Sequence, residues 1–128
     1  MYFTVRKKLQ YENMSHFKRL PEFEKEFLKL SKKYPSLADD LKKLERLITL
    51  NPVGLGTNFV TIHHSDEVKI VKTRLACKSL RNRSIRIIYA YHQNILTFVH
   101  IEIYFKGDKE NEDRARIADY LKNVQRAR

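Results

Sequence analysis

The sequence predicts an α+β fold, in which a small antiparallel sheet of four to five strands carries a helical hairpin on one face and a helix follows at the C-terminus. In the first half of the chain, apolar residues recur at every third or fourth position, which is typical of amphipathic helices. From residue 51 onward the chain is rich in Val, Ile, Thr, Tyr and Phe, which favour strands. With 128 residues, we expect a single domain over residues 15–128, preceded by an unassigned extension over residues 1–14.

Two consecutive helices are predicted to form the hairpin. Pro21 suits the first turn of a helix, and apolar residues follow it at helical spacing until Tyr34, so this helix ends before Pro35. The next helix begins at once, with Ser36 as its N-cap, and ends at Asn51-Pro52. Because a single tight turn joins them, the two helices must pack side by side.

Four strands and a final helix are predicted in the second half. The strands lie at about 57–62, 67–76, 84–91 and 95–105, with a tight connection at residues 92–94, and residues 15–19 can add an edge strand. The final helix covers Asn111 to Val124. In the last strand, alternation directs Val99, Ile101 and Ile103 toward the helices, and directs His100, Glu102, Tyr104 and Lys106 to the opposite face together with Phe98.

The composition points to a polyanionic partner. Lys and Arg number 26 against 15 Asp and Glu, which leaves a formal charge of +11 and makes nucleic acid the first candidate. Cys77 is the only cysteine, so an intrachain disulfide and a cysteine-built zinc site are excluded. The adjacent His63 and His64 rarely converge on one ion, so we expect no metal and no cofactor.

No membrane span or secretory signal is expected. The longest apolar stretch, Ile95–Ile103, is interrupted by polar residues and is far shorter than the roughly 20 residues that a membrane helix needs. The first residues contain cations without an apolar run behind them. Together with the lone cysteine, these observations predict a cytoplasmic protein.

Seven basic residues without an intervening Asp or Glu occupy the stretch from residue 69 to residue 86. They are Lys69, Lys72, Arg74, Lys78, Arg81, Arg83 and Arg86. Strand alternation places Lys72 and Arg74 on one face, and Arg86 can converge with them from the next strand. A single lysine here is explained as solvated surface, but seven cations repel one another unless phosphates lie between them. The cluster therefore predicts a polyanion-binding surface.

Six short motifs occur in a fixed order along the chain. They are Arg19-Leu20-Pro21-Glu22-Phe23, Lys32-Lys33-Tyr34-Pro35-Ser36-Leu37, Asn51-Pro52, Lys72-Thr73-Arg74-Leu75-Ala76, Ser84-Ile85-Arg86-Ile87-Ile88-Tyr89, and Ile103-Tyr104-Phe105-Lys106 with Asp108-Lys109-Glu110-Asn111. In this order the chain resembles the RelE/ParE superfamily of toxins from bacterial type II toxin–antitoxin modules, over about Phe17 to Leu121. The resemblance implies a concave basic face that, in the RelE branch, cleaves messenger RNA within the ribosome without a metal.

The resemblance also assigns candidate residues and partners. Lys72 and Arg74 resemble the family's pair of strand cations, Arg86 its phosphate-stabilising arginine, and Lys106 its basic residue near the end of the last strand. A cognate antitoxin, messenger RNA and the ribosome are the implied partners, and operator DNA is bound only by the toxin–antitoxin complex.

The chain departs from the family in one respect that matters for catalysis. Some ribosome-dependent members carry a tyrosine in their extreme C-terminal segment, and it has no equivalent here. Tyr104 and His100 are the candidates to replace it, because both can take part in proton transfer. RNA contacts are expected from Lys69, Lys78, Arg81 and Arg83. Two alternatives remain open: a non-enzymatic gyrase poison of the ParE branch, and a non-toxic nucleic-acid-binding domain.

Overall fold

The computed structural model describes residues 16–126. The elements in this range are β1 (His16–Arg19), α1 (Pro21–Lys33), α2 (Leu37–Leu50), β2 (Phe59–His64), β3 (Val68–Cys77), β4 (Asn82–His92), β5 (Thr97–Phe105) and α3 (Arg114–Arg126). The predicted α+β class, the helical hairpin and the C-terminal helix are confirmed. The predicted extension over residues 1–14, and Ser15 of the predicted edge strand, lie outside the described residues.

The strands form one mixed sheet in the order β1-β5-β4-β3-β2. Strands β2 to β5 pair antiparallel as expected, because each follows the previous one after a short connection. Strand β1 instead runs parallel to β5, where Phe17 lies opposite Phe98 and stacks on it at 4.8 Å between ring centroids. No turn joins β1 to β5, so a hairpin does not impose their direction.

The sheet separates two apolar clusters. The larger lies between the α1–α2 hairpin and one face of the sheet, and includes Phe23, Leu37, Leu41, Ile48, Ile87 and Tyr89. The smaller lies on the opposite face, where Ile117 of α3 is packed with Ile70, Ile88 and Ile101. None of the helices within residues 16–126 is both long enough and apolar enough to cross a membrane.

A β-bulge in β5 changes which side chains reach each face. Ile88 pairs with Glu102 but Tyr89 pairs with His100, so Ile101 is an extra residue on β5. Before the bulge, Phe98 joins the hairpin-side cluster, whereas beyond it Ile103 does. The predicted alternation is therefore right for Ile103, but it is wrong for Phe98, Val99, His100 and Ile101, because one inserted residue shifts the period of two.

Helix α3 begins later than the sequence predicts. The expected start was Asn111, but the helix begins at Arg114, where the Arg116 N–H donates to the Asp113 side chain at 3.0 Å. Asp113 thus satisfies one of the otherwise unpaired amides of the first turn. The preceding residues are left free to cross the sheet face described below.

The turn of the hairpin is tied to the β3–β4 turn through one buried carboxylate. Asp40 is 5% exposed and accepts hydrogen bonds from the Ser36 hydroxyl at 2.7 Å and from the Lys78 backbone N–H at 3.1 Å. Ser36 occupies the predicted N-cap position, but its hydroxyl reaches Asp40 rather than a backbone amide of α2. The Ser79 N–H donates in turn to the Ser36 hydroxyl at 2.8 Å.

Removing the Asp40 carboxylate should destabilise the fold. We expect Asp40→Ala to lower the free energy of unfolding by about 1–3 kcal/mol, because the Lys78 amide and Ser36 hydroxyl lose a buried acceptor. Urea unfolding followed by circular dichroism measures this change. The exposed neighbour is the control: Asp39→Ala should cost less than about 1 kcal/mol. Equal losses in the two variants would contradict this account of the turn.

Candidate nucleic-acid interface

Three candidate site residues lie side by side on the three central strands of the sheet. Arg74 of β3 pairs with Arg86 of β4, and Arg86 pairs with Tyr104 of β5. Lys72 lies two residues before Arg74 on β3, and Lys106 directly follows β5, two residues after Tyr104, so alternation directs both to the same face. Helix α3 covers one end of that face through Ile117. We call the four cations Lys72, Arg74, Arg86 and Lys106, together with the adjacent Tyr104, the cationic row.

Arg86 is fixed by the backbone of its own strand. It is 7% exposed, and its Nη1 donates to the Arg83 carbonyl oxygen and, at 3.4 Å, to that of Ile85. Burial, together with the facing Arg74, lowers the pKa of the Arg86 guanidinium from its ordinary value. Within residues 16–126 no carboxylate forms an ion pair with Arg74 or Arg86. Two like charges therefore face each other without an intervening anion.

Lys72 differs from the two arginines because it has a counterion. Its Nζ lies 2.8 Å from Oε1 of Glu112, in the segment before α3. Burial alone lowers the pKa of Lys72, but the hydrogen bond to Glu112 and the nearby Tyr104 outweigh it, so the net shift is upward. The same hydrogen bond holds the pKa of Glu112 below its usual value.

Tyr104 is buried beneath the same segment. Its ring lies 5.6 Å from the Nζ of Lys109, which forms an ion pair with the buried Glu102. The Tyr104 hydroxyl is buried and lies close to the Lys72 ammonium, although the two do not form a hydrogen bond of ordinary geometry. Burial raises the pKa of this hydroxyl, an effect that the Lys72 ammonium reduces without reversing. Tyr104 is therefore protonated at neutral pH and can donate a proton once a ligand reaches it.

His100 does not join the cationic row. It is fully buried on the hairpin side, where its ring lies 5.0 Å from that of Phe23 and its Nε2 lies 2.9 Å from Oε2 of Glu45 on α2. The expectation that His100 shares a face with Tyr104 and Lys106 is wrong. The bulge at Ile101 is the physical reason, because it reverses the alternation on either side of it.

The predicted RNA contacts divide between different parts of the molecule. Arg83 and Arg74 both line a groove of about 270 Å³, which is formed mainly by residues of α2 and of the loop before β2. Lys69 is turned toward the other end of β3, where its Nζ donates to Gln93 at 2.7 Å. Lys78 lies against the hairpin turn near Asp40, and Arg81 occupies the β3–β4 turn with a φ of 56°. By alternation along β4, Arg83 shares the hairpin side with Ile85, so none of these four residues extends the cationic row.

Two acidic residues of the interface were not identified from the sequence as site residues. Alternation does place Glu102 on the same face as Tyr104, but nothing local indicates its ion pair with Lys109. Glu112 falls within the predicted final helix, and its contact with Lys72 spans 40 positions. The described residues contain no group of three His, Cys, Asp or Glu side chains arranged to hold a metal ion.

A mixed sheet with a helical hairpin on one face and a C-terminal helix on the other is a RelE-like fold. The crystal structure of the archaeal RelE-RelB complex from Pyrococcus horikoshii OT3 contains a chain of this fold. The two chains are 12% identical with a TM-score of 0.56, and the match covers 73% of this chain and 97% of that one. At the sequence level, no family model matches and no curated protein is significantly similar. The predicted resemblance is thus confirmed at the level of the fold.

The repulsion between Arg74 and Arg86 should lower the free energy of unfolding of the wild-type protein by a measurable amount. We expect Arg74→Gln to raise the free energy of unfolding by about 0.2–1 kcal/mol at low salt, because it removes a like charge opposite Arg86. The gain should vanish near about 1 M salt, where exposed charges are screened. Urea titrations at both salt concentrations test this, with Lys25→Gln on α1 as a control of equal charge change. A gain equal to that of the control would contradict direct repulsion.

The Lys72–Glu112 ion pair should make stability depend on acid pH. Because the pKa of Glu112 is lower in the folded state than its ordinary 4.5, the pair stabilises the fold above that pH and is lost as the pH falls through the folded value. Between about pH 6 and about pH 3, wild type should therefore lose more unfolding free energy than Glu112→Gln does. Urea titrations across this range test it, and parallel pH profiles would contradict it.

Proposed function

We propose that this chain is the toxin of a type II toxin–antitoxin module, and that it cleaves messenger RNA on the ribosome. The observation that supports this most directly is the facing pair Arg74 and Arg86, which no described carboxylate neutralises. Such a pair is costly in the free protein, and a phosphodiester placed between the two guanidinium groups relieves the cost. Lys72 and Lys106 extend the positive surface along the path of an RNA strand.

The cleavage follows from the chemistry of RNA. The ribose 2′-oxygen gives up its proton to solvent water and attacks the adjacent phosphorus, the bond to the 5′-oxygen breaks, and a 2′,3′-cyclic phosphate and a 5′-hydroxyl result. Arg74, Arg86 and Lys72 stabilise the added negative charge of the pentacoordinate phosphorane. Tyr104, held protonated by its raised pKa, supplies the proton for the leaving 5′-oxygen. Because RNA supplies the nucleophile, the reaction requires no metal or cofactor.

The proposed partners follow from the same surface. A formal charge of +11 favours a protein partner that is acidic, and a cognate antitoxin that covers the cationic row would silence the toxin. The structural neighbour is itself described as a RelE-RelB complex, which supports a partner of this kind. Operator DNA is then bound only by the complex. The ribosome and its message place the activity in the cytoplasm.

A second candidate is a gyrase poison that performs no chemistry. One observation favours it: the Tyr104 hydroxyl is buried, so the free protein does not present the proposed proton donor to solvent. A non-toxic nucleic-acid-binding domain is the third candidate, and it requires only the charges. The three differ in what happens to messages and DNA in a growing cell.

Production of the chain alone in bacteria separates these candidates. We expect growth arrest and new message ends, mapped by primer extension, that require translation of the message. Arg74→Ala should reduce the cuts by about 100-fold or more, because it removes a charge that stabilises the transition state. Lys106→Ala should also reduce them, because it removes a cation from the path of the strand. Both side chains are exposed, so neither substitution removes a core contact. Lys25→Ala on the opposite helical layer is the matched control and should cut like wild type.

Each contrary result assigns the chain to another class. Growth arrest with intact messages and broken DNA would replace the ribonuclease by the gyrase poison. Normal growth, combined with RNA binding that weakens steeply with salt and depends on no single cation, would indicate the binding domain. Cuts that persist in both Arg74→Ala and Lys106→Ala would remove the cationic row from the mechanism.

A further inference from the structure

The segment between β5 and α3, residues 106–113, crosses the cationic row. Two ion pairs of opposite polarity fasten it to the sheet: Glu112 of the segment to Lys72, and Lys109 of the segment to Glu102. The Asp113 N–H also donates to Oε1 of Glu102 at 2.8 Å. These contacts place a carboxylate of the chain itself on one of the cations that we assign to RNA.

Glu112 is largely shielded from solvent although it lies outside regular structure. Its side chain is 10% exposed, and the Lys72 side chain it contacts is 25% exposed. The neighbouring Arg74, Arg86 and Lys106 have no such ion pair within residues 16–126. Lys72 is therefore the cation in the row whose charge is already neutralised by a carboxylate of the chain, so a phosphate that binds it competes with Glu112.

We propose that Glu112 determines the ligand class of the interface, because it occupies Lys72 against isolated anions and yields it to a strand with several phosphates. The inference rests on the cationic row being an RNA site, as proposed above. A tethered carboxylate competes at an effective concentration in the millimolar range, so free phosphate or a mononucleotide gains little by replacing it. An RNA strand gains contacts to Arg74, Arg86 and Lys106 in the same event, and these offset the lost ion pair.

Displacement of the segment also changes the surroundings of Tyr104. Lys109 of the segment lies over the Tyr104 ring, and the Tyr104 hydroxyl is buried close to the Lys72 ammonium that Glu112 pairs with. When a strand replaces Glu112, the segment loses one of its two ion pairs and the hydroxyl becomes accessible. Glu112 is thus a specificity-determining residue that couples strand binding to exposure of the proposed proton donor.

Binding of a non-cleavable strand tests this competition. The probe is a fluorescent 2′-O-methyl RNA of about eight nucleotides, whose blocked 2′-oxygen prevents cleavage. We expect Glu112→Gln to bind it about three- to tenfold more tightly than wild type, because the competing charge is gone. Titrated directly, without the probe, inorganic phosphate should also bind Glu112→Gln more tightly than wild type, because the same competing carboxylate is removed. Thermal unfolding of each protein verifies that the variants are folded.

Two further variants isolate the contact from the change in net charge. Glu110→Gln, two positions away and exposed, carries the same charge change and should bind the probe as wild type does. Glu112→Asp keeps the charge but is one methylene shorter, so its affinity should lie between those of wild type and Glu112→Gln.

Every other pattern of binding contradicts the competition. The competition is contradicted if wild type and Glu112→Gln bind the probe with equal affinity. It is also contradicted if Glu110→Gln gains as much affinity as Glu112→Gln, or if none of the proteins binds the probe. Because the probe is never cut, failure of the proposed ribonuclease is seen separately, as intact messages in cells alongside the expected binding pattern.

Discussion

Burial of the hairpin-side core forces Arg74 and Arg86 to face each other. The register that pairs them also pairs Leu75 with Ile85 and Thr73 with Ile87, and these four side chains are buried on the other face. A slip by one residue would turn that apolar set toward solvent, which costs far more than the roughly 0.2–1 kcal/mol of a cross-strand like-charge pair. The core thus fixes a local repulsion that the free protein cannot relieve by shifting its strands.

The β5 bulge has an equally specific consequence for the interface. If β5 had no bulge at Ile101, regular alternation from His100 would direct Glu102 toward the hairpin and Ile103 toward the interface. The inserted residue instead keeps His100 in the aromatic packing around Phe23, while Glu102 and Tyr104 reach the cationic face. One backbone irregularity thus decides which titratable groups of β5 take part in the site and which belong to the core.

The limits of sequence interpretation follow from the range of each signal. Short-range periodicity predicts helices α1 and α2 well, and it also predicts that Lys72 and Arg74 share a face. The parallel direction of β1 and the bulge in β5 depend on tertiary packing, which no local pattern records. The Lys72–Glu112 contact joins residues 40 positions apart, so only the folded chain makes it visible.

The cations of the interface differ in exposure and in their existing contacts, and these differences affect how an RNA strand would dock. Arg74 and Lys106 are exposed and unpaired within the described chain, so they can attract a phosphate at long range without breaking a contact. Arg86 is held by backbone carbonyls and offers a fixed guanidinium at short range. Lys72 requires an exchange with Glu112 and would therefore engage last. An order of docking from exposed to paired cations would place the scissile phosphate between the arginines before Tyr104 is uncovered.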